Sequence, residues 1–222
     1  MNSEDVAAYL KQHPEFFEQY AETMAGINIP HPHGGRTISI SERQILTLRE
    51  KSKQLESKLR EIIQFGEEND ALGEKMHAIS LALLRARDAA SVIDAVTQRL
   101  REDFAVPQVA LRLWCGAPAE LTAHAALEPV SDATRQFVMA LSEPSCSAEA
   151  AADAATLFGA AAPLLTSFAF VPIRDGGEGA TFGVLALASE EPRRYYADMG
   201  ALYLSRLGGL IGCALAAHLP PA

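Results

Sequence analysis

A chain of 222 residues with 49% hydrophobic and 21% charged side chains is too apolar to be wholly disordered, and long enough for one large domain or a domain with an appendage. Its 28 Asp+Glu against 19 Lys+Arg, a net charge of −9, exclude a general nucleic-acid binder, which needs cations to displace counterions from phosphates. Three cysteines (Cys115, Cys146, Cys213), an odd number with no CxxC pair, fit a reducing compartment better than a disulfide framework.

The opening Met-Asn-Ser-Glu-Asp is acidic and lacks an apolar core, so no signal peptide is expected. Residues Ala154 to Ile173 carry no charge over a length that could span a bilayer. Gly159, Pro163 and Pro172 interrupt that run, which reads as two buried segments meeting at Pro163. The expectation is a cytoplasmic protein with no membrane partner.

Charge divides the chain into three parts: residues 1–40 sum to −3, residues 41–90 to zero, and residues 91–222 to −6 with no lysine. Residues 1–40 read as an N-terminal helical arm and extended segment. Ser3 is the expected cap of a first helix whose first turn is acidic. Pro14 ends it and opens a second, with Phe16, Phe17 and Tyr20 on its apolar side and Gly26 as terminator. The segment from Ile27 to Gly35, with its prolines and glycines, cannot be regular helix.

Residues 41–88 read as a long coiled-coil helix. Steps of three and four give Ile45, Leu48, Ser52, Leu55, Leu59 and Ile62; the stripe then slips by one position to Phe65, Asn69, Leu72, Met76, Ile79 and Leu83. Mixed charge on the flanks, such as Arg49, Lys51, Glu56 and Lys58, suits the solvated sides of a coil. Such a helix would be roughly 70 Å long, against roughly 35–40 Å for a compact domain built from the residues after it. Half of its stripe would find no partner within one chain. A second copy is therefore the expected partner, with Ile45, Leu48, Leu55, Leu59, Ile62, Leu72 and Met76 in the dimer interface.

Residues 89–219 read as an α+β domain. A helix opens at Ser91 and ends before Pro107; a strand covers Val109–Cys115; residues 131–141 are helical, and Ala148–Ala155 weakly so. Ser167–Ile173 and Thr181–Ser189 form an antiparallel hairpin, and a helix from about Tyr195 to His218 closes the domain. The order suits an antiparallel sheet flanked by helices.

The run Ile173-Arg-Asp-Gly-Gly-Glu-Gly-Ala-Thr-Phe-Gly-Val-Leu-Ala-Leu-Ala, followed by a helix, resembles the last hairpin and helix of a GAF domain. Four blocks resemble the bacterial family known as domain of unknown function 484. They are His13-Pro-Glu-Phe-Phe17, the Ile29-Pro-His31 arm leading to Ser41-Glu-Arg-Gln44, Phe182-Gly-Val-Leu-Ala-Leu187, and Arg194-Tyr-Tyr-Ala-Asp-Met-Gly200. The resemblance implies a helical arm, a long helix and a GAF-like domain, and it brings no activity with it.

Because GAF domains bind small molecules between sheet and covering helices, Trp114, Phe158, Phe168, Phe170, Arg174 and Thr181 are candidate pocket residues; the alternative is that the aromatics are simply core. Cys146 is followed by Ser147 and not by the histidine of bilin-binding domains, and the cyclic-nucleotide signature is absent. A thiol enzyme would need a thiolate in a basic setting. The lysine-free domain argues instead for unpaired, mostly buried cysteines, with only Cys146 in a loop. His31 and His33 lack a third ligand nearby, so no metal is expected, and no cofactor. Gly208 and Gly212 permit close helix approach, to the sheet or to a dimer mate.

Together these readings describe a non-catalytic sensory or interaction protein acting as a homodimer, its ligand a small molecule of unknown identity. The alternative is a ligand-free adaptor whose arm residues Phe16, Phe17 and Ile29 dock on a protein partner. A thiol-dependent enzyme is the weaker alternative.

Overall fold

The structure, a computed structural model, describes residues 2–30, 37–114, 121, 124–151, 153–175, 179–197 and 201–219; of residues 25, 26, 28–30 and 37–42 it describes the backbone alone. The chain divides into two units, Met1–Asn69 and Asp70–Ala222, and the division falls inside one long helix.

In the first unit three short helices, α1 (Ser3–Gln12), α2 (Glu15–Gln19) and α3 (Ala21–Gly26), precede a small hairpin of β1 (Asn28–Pro30) and β2 (Thr37–Ser39). The cap of α1 is Asn2, not Ser3. The Asn2 side chain accepts from the Asp5 amide at 2.8 Å while the Asp5 carboxylate accepts from the Asn2 amide at 2.9 Å. That reciprocal box needs an acid three residues after the cap; Ser3 would have Val6 there. The expected second helix is divided in two at Tyr20, whose backbone leaves the helical region (φ −115°, ψ 26°).

Helix α4 (Ile40–Arg85) runs on without interruption. Its last turns belong to the second unit, where Ile79 and Leu83 are buried. Next comes α5 (Ala89–Glu102), capped by Asp88. The Asp88 carboxylate accepts from the Ser91 amide at 2.7 Å, and the Ser91 hydroxyl accepts from the Asp88 amide at 3.2 Å. Ser91 is thus the third residue of the helix and not its cap, because Ala89 and Ala90 are good helix formers ahead of it.

The sheet holds β3 (Gln108–Leu113), β4 (Ser145–Ser147), β5 (Ser167–Ile173) and β6 (Gly183–Ser189), in the order β3-β6-β5-β4 and antiparallel throughout. Helix α6 (Asp132–Ala140) lies between β3 and β4 in sequence, and α7 (Leu202–Ala216) closes the chain. The α+β architecture and the central hairpin agree with the sequence reading. Among the described residues, the segment expected as a weak helix over Ala148–Ala155 holds no α-helix. Ser145, Cys146 and Ser147 pair with the open edge of β5, and a 3-10 helical segment, Ala154–Leu164, follows with a kink at Gly159. Alanine's helix propensity is a weak preference, and it does not produce an α-helix here. The last helix also begins later than Tyr195. Arg194 donates to the Phe104 carbonyl at 2.8 Å and Tyr195 is buried, which ties residues before α7 into the core as irregular backbone.

Alternation sorts the strand residues onto two faces. One face carries Val109, Leu111, Leu113, Ala169, Val171, Ile173, Leu185 and Leu187, in one buried cluster with Val92, Val96 and Leu100 of α5 and Leu207, Ile211 and Leu215 of α7. Each fully buried aliphatic side chain there contributes roughly 1.5–3 kcal/mol. Helix α7 reaches this face through two glycines: a β-carbon on Gly208 would stand 2.7 Å from Val171 Cγ1, and one on Gly212 would overlap the Arg174 carbonyl. The Gly208/Gly212 pair therefore serves sheet packing. Among the described residues no helix is long and apolar enough to cross a membrane.

Candidate functional site

The opposite face of the sheet carries Ala110, Phe168, Phe170, Val184, Ala186 and Ala188, covered by Val138 and Phe137 of α6 and by Leu157 and Phe158 of the 3-10 segment. Register explains how two large rings fit. Phe168 stands opposite Ala188 and Phe170 opposite Ala186, so β6 offers methyl groups where β5 offers phenyls. The Phe168 and Phe170 rings stack at 6.3 Å and 5°. Phe137 meets Phe170 edge-on at 5.5 Å, and Phe158 meets Phe168 at 6.1 Å. Such pairs are favourable beyond their buried area. Phe158, Phe168 and Phe170 are thus brought together as packed interior.

Trp114, Arg174 and Thr181 meet at the end of this face, with Thr181 as the junction. The Trp114 indole donates to the Thr181 carbonyl at 3.0 Å, and the Arg174 Nε donates to the Thr181 hydroxyl at 3.0 Å. The guanidinium also donates to the Ser142 carbonyl at 3.2 Å and to the Leu141 carbonyl. Leu141 caps the C-terminus of α6, where exposed carbonyls and the helix dipole favour a cation. Arg174 therefore ties the β5–β6 hairpin to α6. The Arg135 guanidinium lies over the Trp114 ring at 5.5 Å.

One charged side chain of this face escaped the sequence reading. Arg112 is 12% exposed and donates to Glu128 Oε2 at 2.7 Å and to the Leu157 carbonyl at 3.4 Å. Its signal was a lone arginine inside an otherwise apolar strand, Val109-Ala-Leu-Arg-Leu113. Phe137 was also missed, because helical spacing alone does not show which helix covers which face.

The family model described as "Protein of unknown function, DUF484" matches residues 1–217. The chain belongs to the DUF484 family. Among solved structures it is similar to a GAF domain described as that of a putative sensor histidine kinase from Pseudomonas syringae pv. tomato. The two share 18% identity over 70% of this chain and 92% of that one, with a TM-score of 0.47. A search of curated proteins returns no match.

In this DUF484 protein the cysteines differ from expectation. Cys146 sits on β4 and not in a loop, half-buried, and burial pushes its thiol up from the ordinary value. Cys213 is exposed on the outer side of α7, since the inner side is taken by Gly208, Ile211 and Gly212. Cys115, His31 and His33 lie outside the described residues. Among the described residues no three His, Cys, Asp or Glu side chains gather at metal-ligand spacing.

Ile45, Leu48, Leu55, Leu59 and Ile62 of the DUF484 long helix are between 49% and 68% exposed. Leu72 and Met76 are half-buried, and Met76 packs on the domain's own core. In the arm, Phe16 stacks on Tyr20 at 4.8 Å, while Phe17 is exposed. Ile29 pairs through its backbone with Ile38, and its side chain lies outside those described.

Proposed function

We propose that the protein is a non-catalytic, GAF-like sensory or interaction protein that works as a homodimer joined along α4. One observation carries this reading: Ile45, Leu48, Leu55, Leu59 and Ile62 form an exposed apolar seam on one uninterrupted helix. Apolar stripes of that kind favour association, and a second copy presents a self-complementary one. Sedimentation equilibrium tests it: twice the chain mass is expected, and a monomer that persists at high concentration overturns it. Replacing Leu55 and Leu59 by lysine is expected to dissociate the dimer.

What supports an adaptor over a ligand sensor is the phenyl-filled face behind Phe168 and Phe170. In that reading the arm, with Phe16, Phe17 and Ile29, docks on a protein partner. A thermal-shift screen of nucleotides and metabolites separates the two: a saturable shift supports the sensor, and none supports the adaptor. Against a thiol enzyme stands the raised thiol of Cys146, since catalytic thiols are lowered towards the thiolate. Free thiols at Cys146 and Cys213 fit a reducing compartment, hence the cytoplasm.

A further inference from the structure

We infer that the second copy lies parallel to the first and in register across α4. The inference rests on the homodimer reading, and the experiment below separates its failure from the failure of that reading. Helix α4 passes through the seam without a break, so a heptad frame can be laid on it with Ile45, Ser52 and Leu59 at a and Leu48, Leu55 and Ile62 at d. In the next turns the same frame meets Gly66, Asn69 and Gly73, so the apolar seam ends near the division between the two units. Register must therefore be decided by the flanks of a short stretch. Arg49, Glu56 and Ile63 take the e positions, and Lys51, Lys58 and Phe65 the g positions.

A parallel, in-register pair sets each g residue against the e residue five positions on in the mate. Lys51 then faces the mate's Glu56, twice by symmetry, while Lys58 faces Ile63 and lays its aliphatic stem along it. All the charge pairs formed are attractive. Among the described residues, Lys51 and Lys58 have no ion-pair partner within their own chain.

Antiparallel pairs set g against g and e against e. When the layers match Ile45 with Ile62, Leu48 with Leu59 and Ser52 with Leu55, Lys51 faces Lys58 twice and Arg49 faces Glu56 twice, which cancels. Sliding one heptad in one direction puts Lys58 against Lys58 and Glu56 against Glu56. Sliding in the other puts Lys51 against Lys51 and Arg49 against Arg49. The parallel register also stacks Ser52 on its own copy, a polar a layer that a mate in another register would bury against leucine or isoleucine.

Two variants of the full chain test this. In Leu48→Cys, oxidation is expected to link the two introduced thiols, one from each copy, and peptide mass spectrometry against the unsubstituted chain identifies the linked peptides. An antiparallel mate would place Leu59 there, roughly 16 Å along the axis from the second Leu48. Lys51 has no charged neighbour three or four residues away on its own helix, so Lys51→Glu reports on the mate. It is expected to raise the dimer dissociation constant on the order of tenfold. In the antiparallel pairing centred between Ser52 and Leu55 it would set the introduced carboxylate against Lys58 and lower that constant. A stable dimer in which Leu48→Cys forms no link between its two copies, or one that Lys51→Glu tightens, overturns the parallel register and leaves the homodimer standing. A monomeric unsubstituted chain overturns both.

Discussion

Where Gly212 would carry a β-carbon, the backbone carbonyl of Arg174 already stands. The two residues hold α7 against the end of β5 at a distance that only hydrogen permits. Backbone on one side and a strand on the other leave no flexible side chain to yield. Gly212→Ala is therefore expected to cost about 3 kcal/mol, near the upper end for overpacking, and to lower the unfolding temperature of the second unit by roughly 6–12 °C. Gly208→Ala meets the Val171 methyl and is expected to cost less, about 1–2 kcal/mol. Equal stability of Gly212→Ala and the unsubstituted chain in urea would show that α7 can move away freely.

Two other glycines predict the opposite sign. Gly66 and Gly73 lie in the interior of α4, and a β-carbon on either meets nothing within 4 Å. Alanine there restrains the unfolded backbone without a clash, so each substitution is expected to stabilise the helix by about 1 kcal/mol. Circular dichroism melting of the full chain checks this. A loss of helicity on either substitution would argue that the helix needs to bend at these points.

What the sequence disclosed followed the strength of each local signal. The seam of α4 and the hairpin of β5 and β6 were legible because both carry long, unambiguous periods: steps of three and four from Ile45 to Ile62, and buried runs on either side of the turn near Gly179. Strand β4 was not legible. Ser145-Cys146-Ser147 has no β-branched or aromatic residue, and its strand state comes from the free edge of β5. The three aromatic pocket candidates on the second face were placed together, yet their packing depended on Ala186 and Ala188 across the ladder, a register that sequence spacing leaves open. Arg174 stood in the sequence as a candidate pocket residue beside the turn. Its carbonyl partners at Leu141 and Ser142 lie just past the end of α6, more than thirty residues earlier, which no local pattern reports.

Asp88 sets a pH dependence. Hydrogen bonds from the Ser91 amide and hydroxyl hold its carboxyl below the ordinary value. A depressed folded-state pKa contributes stability that is present above the ordinary carboxylate pKa of about 4 and is lost as pH falls through the lower folded value. Asp88→Asn keeps a competent cap but removes the titration. The variant is expected to be less stable than the parent at pH 7, and the two urea midpoints should converge in acid. A gap that stays constant down to about pH 2 would show that the charge on Asp88 contributes nothing.

Cys146 and Cys213 offer an internal comparison of thiols in one chain. Burial on β4 raises the Cys146 pKa, so at pH 8 it holds less thiolate than an ordinary cysteine; Cys213 stands exposed on α7. Alkylation proceeds through the thiolate, so burial slows Cys146 twice, by limiting access and by disfavouring its ionised form. Iodoacetamide labelling followed by peptide mass spectrometry is expected to modify Cys213 first. Cys146 should lag by on the order of tenfold and accelerate as pH rises beyond the ordinary thiol range of about 8.5. Unfolding in urea should erase the difference, since it removes the desolvation that causes it. Were Cys146 to label faster than Cys213 in the folded chain, something on β4 would be lowering its pKa against burial, and the thiol-enzyme reading would regain its footing.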